Sequence, residues 1–203
     1  MEILKYQDWK EEHQTLHLIA QILGKYKLAC AYQAPQWEHV VLNITPEGFT
    51  TGMLYFGEKY FSISVNVLDD QIEVRVNEDM TTFPLQDGKT VQDYYKQITG
   101  TVKEFDIEVD INPEPQELAD KTPFDEDTKH HHYDHDKAVK AIQLFQYAKR
   151  ALERFVHPLR ARVEGPGLFW GTFDVSTLVV YNEMHETFKP RQVIEYGCFD
   201  ERF

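Results

Sequence analysis

The chain has 203 residues, 42% hydrophobic and 27% charged, a balance that suits a single globular domain over 1–203 with a core of its own. Its 34 Asp and Glu against 21 Lys and Arg give a formal charge of −13, which excludes a general affinity for nucleic acid or anionic membrane, because both are bound through basic surface. Cys30 and Cys198 have no CxxC spacing and make neither a disulfide framework nor a structural zinc site. A charged start (MEILKYQDWK) and the lack of an apolar run near the roughly 20 residues of a membrane span predict a soluble cytoplasmic protein with reduced thiols.

Residues 11–24 open with Glu11 and Glu12, carry the apolar stripe Leu16, Ile19, Ala20 and Leu23, and meet a stop signal at Gly24, which predicts a helix. His17 and Gln21 stand one turn apart on one of its faces. The period then changes to two. Segment 37–44 alternates Val40, Leu42 and Ile44 with His39, Val41 and Asn43 and predicts a strand, followed by a turn over Thr45-Pro46-Glu47-Gly48. Segments 61–67 and 72–77 predict a hairpin. With Asp69 and Asp70 as its loop, Val67 opposes Ile72, Val65 opposes Val74, and every apolar residue shares one face. One apolar and one wet face is the pattern of an antiparallel sheet. The other face, with His39, Asn43, Ser62, Ser64 and Asn66, could floor a polar pocket.

Thr90, with Asp93 three positions on, predicts a capped helix carrying Val91, Tyr94, Tyr95, Ile98 and Val102, and a short strand over 107–111. Residues 104–129 hold ten acids against Lys121 and Lys129, a net −8. Pro113, Pro115 and Pro123 predict an irregular acidic loop over about 112–134. A helix over about 135–157 follows, capped by Asp134, with Ala138, Ala141, Phe145, Ala148, Leu152, Phe155 and Leu159 on its buried stripe. Seven basic against two acidic residues give 136–162 a net +5. Segment 168–181 reads as one or two apolar strands. These elements predict an α+β domain, an antiparallel β-meander packed on one face by the N-terminal helix and the long C-terminal helix.

Candidate chemistry lies at three places. His17 with Gln21 is a polar pair on an otherwise apolar helix. In 127–136 imidazoles and carboxylates crowd together, and His130, His132, Asp134 and His135 are the candidate ligands for a divalent metal. Adjacent loop side chains seldom converge on one ion, however, and the HExxH spacing is absent. No other cofactor is expected. In 169–174 a strand would place Trp170 and Asp174 on one face and Phe169 and Phe173 on the other. An acid inside an apolar strand wants a partner, for which Lys25, Arg150, Arg154 and His17 are available. The GxSxG, GxxxxGK[ST] and GxGxxG strings are absent.

Four ordered strings resemble a known family: Thr15-Leu16-His17-Leu18 with Gln21-Ile22-Leu23-Gly24-Lys25; Thr45-Pro46-Glu47-Gly48; Pro123-Phe124-Asp125-Glu126-Asp127-Thr128 with His130, Tyr133 and Asp134; and Phe169-Trp170-Gly171-Thr172-Phe173-Asp174. Over roughly residues 3–183 they look like the bacterial family catalogued as domain of unknown function 5996. That resemblance implies a bacterial cytoplasmic source and no established reaction, fold or cofactor. The chain resembles a divergent, C-terminally short member. It has Gly167, Val179 and Glu183 where the family carries a His and two Arg. It likewise has Pro35-Gln36 and Pro190-Arg191-Gln192 in place of Asn-His and Ser-His-Glu. Together, residues and resemblance give His17, Gln21, Lys25, His130, Tyr133, Trp170 and Asp174 as candidate ligand-binding residues. Three readings stay open: a small-molecule-binding domain, with or without an enzymatic step; a non-catalytic interaction protein that offers the acidic loop 104–129 to a basic partner; and metal binding through 130–136.

Overall fold

A computed structural model describes residues 4–181 and 192–198. Helix α1 spans Tyr6–Cys30, longer at both ends than its apolar stripe indicates, with a break in helical geometry at Trp9. Gly24 does not end it. Every residue from Thr15 to Tyr26 is buried, and a helix buried all round is a core element rather than an amphipathic surface helix.

The strand expected over 37–44 is mostly absent. Pro35–Val40 forms a 3₁₀ turn with Pro35 at its start, where a fixed φ suits a helical turn, and Trp37 at φ 63 is incompatible with a strand. His39 accepts the N–H of Ala34 at 3.1 Å instead of facing a sheet. Leu42 makes a single bridge to Leu168, and only Asn43–Ile44 (β1) forms a strand. Then follow β2 (Gly48–Thr50), β3 (Leu54–Phe56), β4 (Lys59–Asn66), β5 (Gln71–Val76) and β6 (Asp79–Pro84), all antiparallel in the order β1-β2-β4-β5-β6 with β3 on β4. The β4–β5 register pairs Val65 with Ile72 and Ile63 with Val74, two residues from expectation. The loop is lengthened by Asn66, whose Oδ1 accepts the N–H groups of Leu68 and Asp69, both at 3.1 Å. Because the slip is even, the faces survive: Phe61, Ile63, Val65, Ile72, Val74 and Val76 are all buried.

Helix α2 (Val91–Glu104) starts with a capping box in which Thr90 and Asp93 satisfy each other's backbone N–H groups. The strand expected over 107–111 does not form; Ile107 and Ile111 are single apolar anchors in the core. The loop to Asp134 is irregular, as its prolines imply, but it is packed rather than loose. Phe124 is fully buried, and Val91 N–H and Gln92 N–H donate to the carbonyls of His130 and Asp127, each at 2.9 Å. Helix α3 (His135–Val156) is capped by Asp134, which accepts Lys137 N–H at 2.9 Å. Ala138, Ala141 and Ala148 are buried, whereas Phe155 (47% exposed) and Leu159 (40%) are not, because Val156 takes the inward position of the last turn.

Segment 168–181 is divided by a turn. Strands β7 (Arg162–Phe169), β8 (Asp174–Tyr181) and β9 (Gln192–Cys198) make a second antiparallel sheet, joined to the first by reciprocal bonds of 3.0 and 2.9 Å between Leu42 and Leu168. The fold is thus α+β with helices packed on antiparallel sheet, as expected, plus one sheet more. No helix among the described residues is long and apolar enough to cross a membrane.

Candidate functional site

The turn Trp170–Phe173 lies across α1. At Gly24 an added Cβ would sit 2.2 Å from Trp170 Cδ2, so the missing side chain is what admits the indole. Trp170 Nε1 donates to Val40 O at 2.9 Å, clamping the turn to the 3₁₀ segment. Phe173 adopts φ 61, a conformation that costs a bulky residue about 1–3 kcal/mol. It is held there by its N–H bond to Phe169 O (2.7 Å) and by ring contacts with His13, His17, Phe49 and Phe145.

The expectation that His17 and Gln21 share a face leads to a buried network. His17 Nε2 lies 3.0 Å from both Trp170 O and Gly171 O. Two carbonyl acceptors around one nitrogen mean that it carries the proton. Gln21 accepts Gln116 N–H at 2.8 Å and donates to Gln116 O at 2.8 Å. That reciprocal pair fixes the orientation of its amide. The two side-chain nitrogens, 3.1 Å apart, share Gly171 O as acceptor. Helix α1, the acidic loop and the β7–β8 turn, about 95 and 150 positions apart in sequence, are thereby locked together.

Two cavities border this network, one lined by Gln116 and Gly171 and one by His17. The larger, a cleft of about 700 Å³, is walled by the 3₁₀ turn, by Gln116 and Glu117, and by the β7–β8 turn. Trp170 and Asp174 line it. Trp37, 64% exposed, stands at its rim. Asp174 does not pair with Lys25, Arg150, Arg154 or His17. Its carboxylate accepts the hydroxyls of Thr172 and Ser176, which replace the expected cation. Glu117, at φ 56, lays its carboxylate over Gly171, 2.8 Å from where a Cβ would stand. Lys25 is buried behind this site, its Nζ 5.9 Å from the Trp170 ring centroid. Burial lowers its pKa from the ordinary value, against a smaller upward pull from Glu114.

The smaller cavity, about 240 Å³, is lined by His17, Asp120, Asp127 and His130 among others. Asp127 is buried, which opposes its ionisation. Hydrogen bonds from His130 Nδ1 (2.7 Å), His130 N (3.1 Å) and Lys129 N (3.0 Å) outweigh that and hold the carboxyl below its usual range. With Nδ1 engaged, Nε2 is the ring nitrogen of His130 left for a ligand.

Tyr133 stands apart from both cavities. Its hydroxyl donates to Asp70 in the β4–β5 loop at 2.6 Å, and burial and that bond raise its pKa. The four candidate metal ligands also diverge. His130 turns to Asp127, His132 lies between Glu11 and Asp87 (3.5 and 3.6 Å), His135 meets Asp70 (2.8 Å), and Asp134 caps α3. No group of three or more His, Cys, Asp or Glu arranged to hold a metal ion occurs among the described residues. Ser62, Ser64 and Asn66 line neither cavity. Gln116 and Glu117, both in the cleft wall, carry no sequence signal beyond lying in the acidic loop. Gly167 is fitted to its neighbours, since a Cβ there would meet Val41 Cγ1 at 2.3 Å. Glu183, Pro190 and Arg191 lie outside the described residues, as do the side chains of Pro35, Gln36 and Gln192.

The chain belongs to a family of unknown function (DUF5996), whose sequence profile matches residues 2–193. No curated protein and no solved structure matches it.

Proposed function

We propose that this protein is a small-molecule-binding domain whose ligand occupies the cleft between the 3₁₀ turn, the acidic loop and the β7–β8 turn. The observation that carries the reading is a cleft of about 700 Å³ with a wall pinned from behind by the His17–Gln21–Gln116–Gly171 hydrogen bonds. Ligand sites span about 300–1,000 Å³, are mostly apolar, carry a few fixed polar groups and are largely formed before the ligand arrives. This cleft has each of those properties. The acidic loop serves as one of its walls.

The Asp127–His130 pair has the arrangement of a general base, in which a carboxylate on Nδ1 orients the ring and leaves Nε2 to exchange a proton. It faces the smaller cavity, which shares no lining residue with the cleft. The binding role therefore falls to the cleft, and no reaction is assigned.

A fragment screen by heteronuclear NMR on the labelled full chain tests the reading. Binders are expected to move the indole signals of Trp37 and Trp170 and the amides of Gly171 and Glu117 together. Trp37→Ala, at an exposed rim position, should weaken them by about tenfold, or about 1.4 kcal/mol, with the melting temperature unchanged. A screen whose hits all map elsewhere overturns the proposal.

A further inference from the structure

We infer that the occupant of the cleft is an organic cation, an amine or amidine attached to a flat or aliphatic body; this rests on the binding reading above and narrows it. Two charged side chains, Glu117 and Asp174, stand in the described cleft lining, and both are acidic. Neither forms an ion pair among the described residues; the partners of Asp174 are the neutral hydroxyls of Thr172 and Ser176. Asp174 is only 4% exposed. A carboxylate withdrawn from water without a counter-ion is costly. Two hydroxyl donors also leave part of its acceptor capacity unused, since a carboxylate offers about four lone-pair sites. A cation entering the cleft supplies the missing charge.

The rings point the same way. Trp37, Phe169 and Trp170 line the cleft, and the negative face of an aromatic ring attracts a cation placed within about 6 Å of its centroid. Lys25 lies 5.9 Å from the Trp170 ring but is not part of the lining, so no lysine or arginine of the described residues competes for the space. Acidic side chains between apolar walls focus a negative potential into the cleft, and the chain's net −13 reinforces it. Phosphorylated and carboxylate ligands are disfavoured on the same grounds.

Benzamidine, benzamide and benzoate test this, because they share size and shape and differ in charge. Titrated into the labelled full chain and read at the Trp37 and Trp170 indole signals, benzamidine should bind about tenfold more tightly than the other two. The advantage should shrink in Glu117→Gln, whose side chain is exposed and whose melting temperature should not move. Rising salt should weaken benzamidine alone. Benzamide or benzoate binding the cleft as tightly as benzamidine overturns the cation and leaves the small-molecule reading standing. If none of the three moves the cleft signals, both fall.

Discussion

Lys25 puts an ammonium into the interior without a hydrogen bond or ion pair among the described residues, 5.9 Å from the centroid of the Trp170 ring. Burial lowers its affinity for a proton, Glu114 offsets part of this and Lys121 adds to it, and an unpaired buried charge is among the costlier features a fold carries. Lys25→Met keeps the aliphatic stem and removes the charge. It should raise stability by about 1 kcal/mol, or about 2–4 °C in melting temperature for a chain of this size. A fall of similar size in thermal denaturation would show that the ammonium has a partner. Individual residues were readable from sequence where their partners are local. Thr90 with Asp93, and Asp134 with the start of α3, follow rules that act within three positions. The pairing of Gln21 with Gln116 and of His17 with Gly171 obeys no such rule. Sequence placed His17 and Gln21 on one face and could not say what that face meets. The same gap applies to Asp174, for which sequence offers distant cations and the fold supplies two neighbouring hydroxyls.

Helix α1 shows what happens when a local rule meets tertiary packing. Gly24 reads as a helix stop, yet the helix continues to Cys30 because Trp170 fills the space that a side chain would need. In an exposed helix Gly→Ala is worth about 1 kcal/mol of stability. Here the sign should reverse. A Cβ 2.2 Å from Trp170 Cδ2 must displace an indole that also bonds Val40 O, and overpacking of this kind costs about 1–3 kcal/mol. Gly24→Ala should therefore lower the urea midpoint and weaken binding in the cleft, since the displaced turn lines it. An unchanged or raised midpoint would refute the packing argument. Strand faces were more accessible to sequence than strand partners. The alternation of β4 and β5 fixed which residues face inward, whereas the register depended on Asn66 bending the chain through its own side chain. The 3₁₀ turn eluded reading because its alternation imitates a strand, and only Pro35 marked the difference.

Charge is distributed over the molecule less simply than its sum of −13 suggests. The acidic loop wraps the domain with its apolar residues turned in, Lys129 pairs with Asp120 inside it, and Lys137 of α3 reaches Glu12 on α1. Those pairs raise the pKa of Lys129 and Lys137, whereas burial governs the other groups shifted at alkaline pH. It lowers Lys27 and Lys89 to about 8 from an ordinary 10.5. Lys25 is lowered too. Between the lowered and ordinary values the unfolded chain holds protons that the folded chain has released, so stability rises with pH. Cys30 works against this, since burial raises its thiol from 9.0 to about 11 and the folded state keeps a proton that the unfolded state loses. The buried tyrosines join it from their ordinary 10.0 upward, with Tyr94 raised to about 12 and Tyr26 and Tyr133 raised further. Among the described residues the three lowered lysines therefore add stability as pH rises toward 10.5, Lys27 and Lys89 from about pH 8, while the Cys30 thiol subtracts from about 9 and four raised phenols, Tyr95 the fourth, subtract from about 10. Urea unfolding followed across this range should show a midpoint that climbs from pH 8 to a maximum between about 9 and 10 and then drops steeply. Lys89→Met should flatten the climb and leave the drop in place. A midpoint that falls monotonically from pH 8 would show that these ammonium groups keep their protons in the fold.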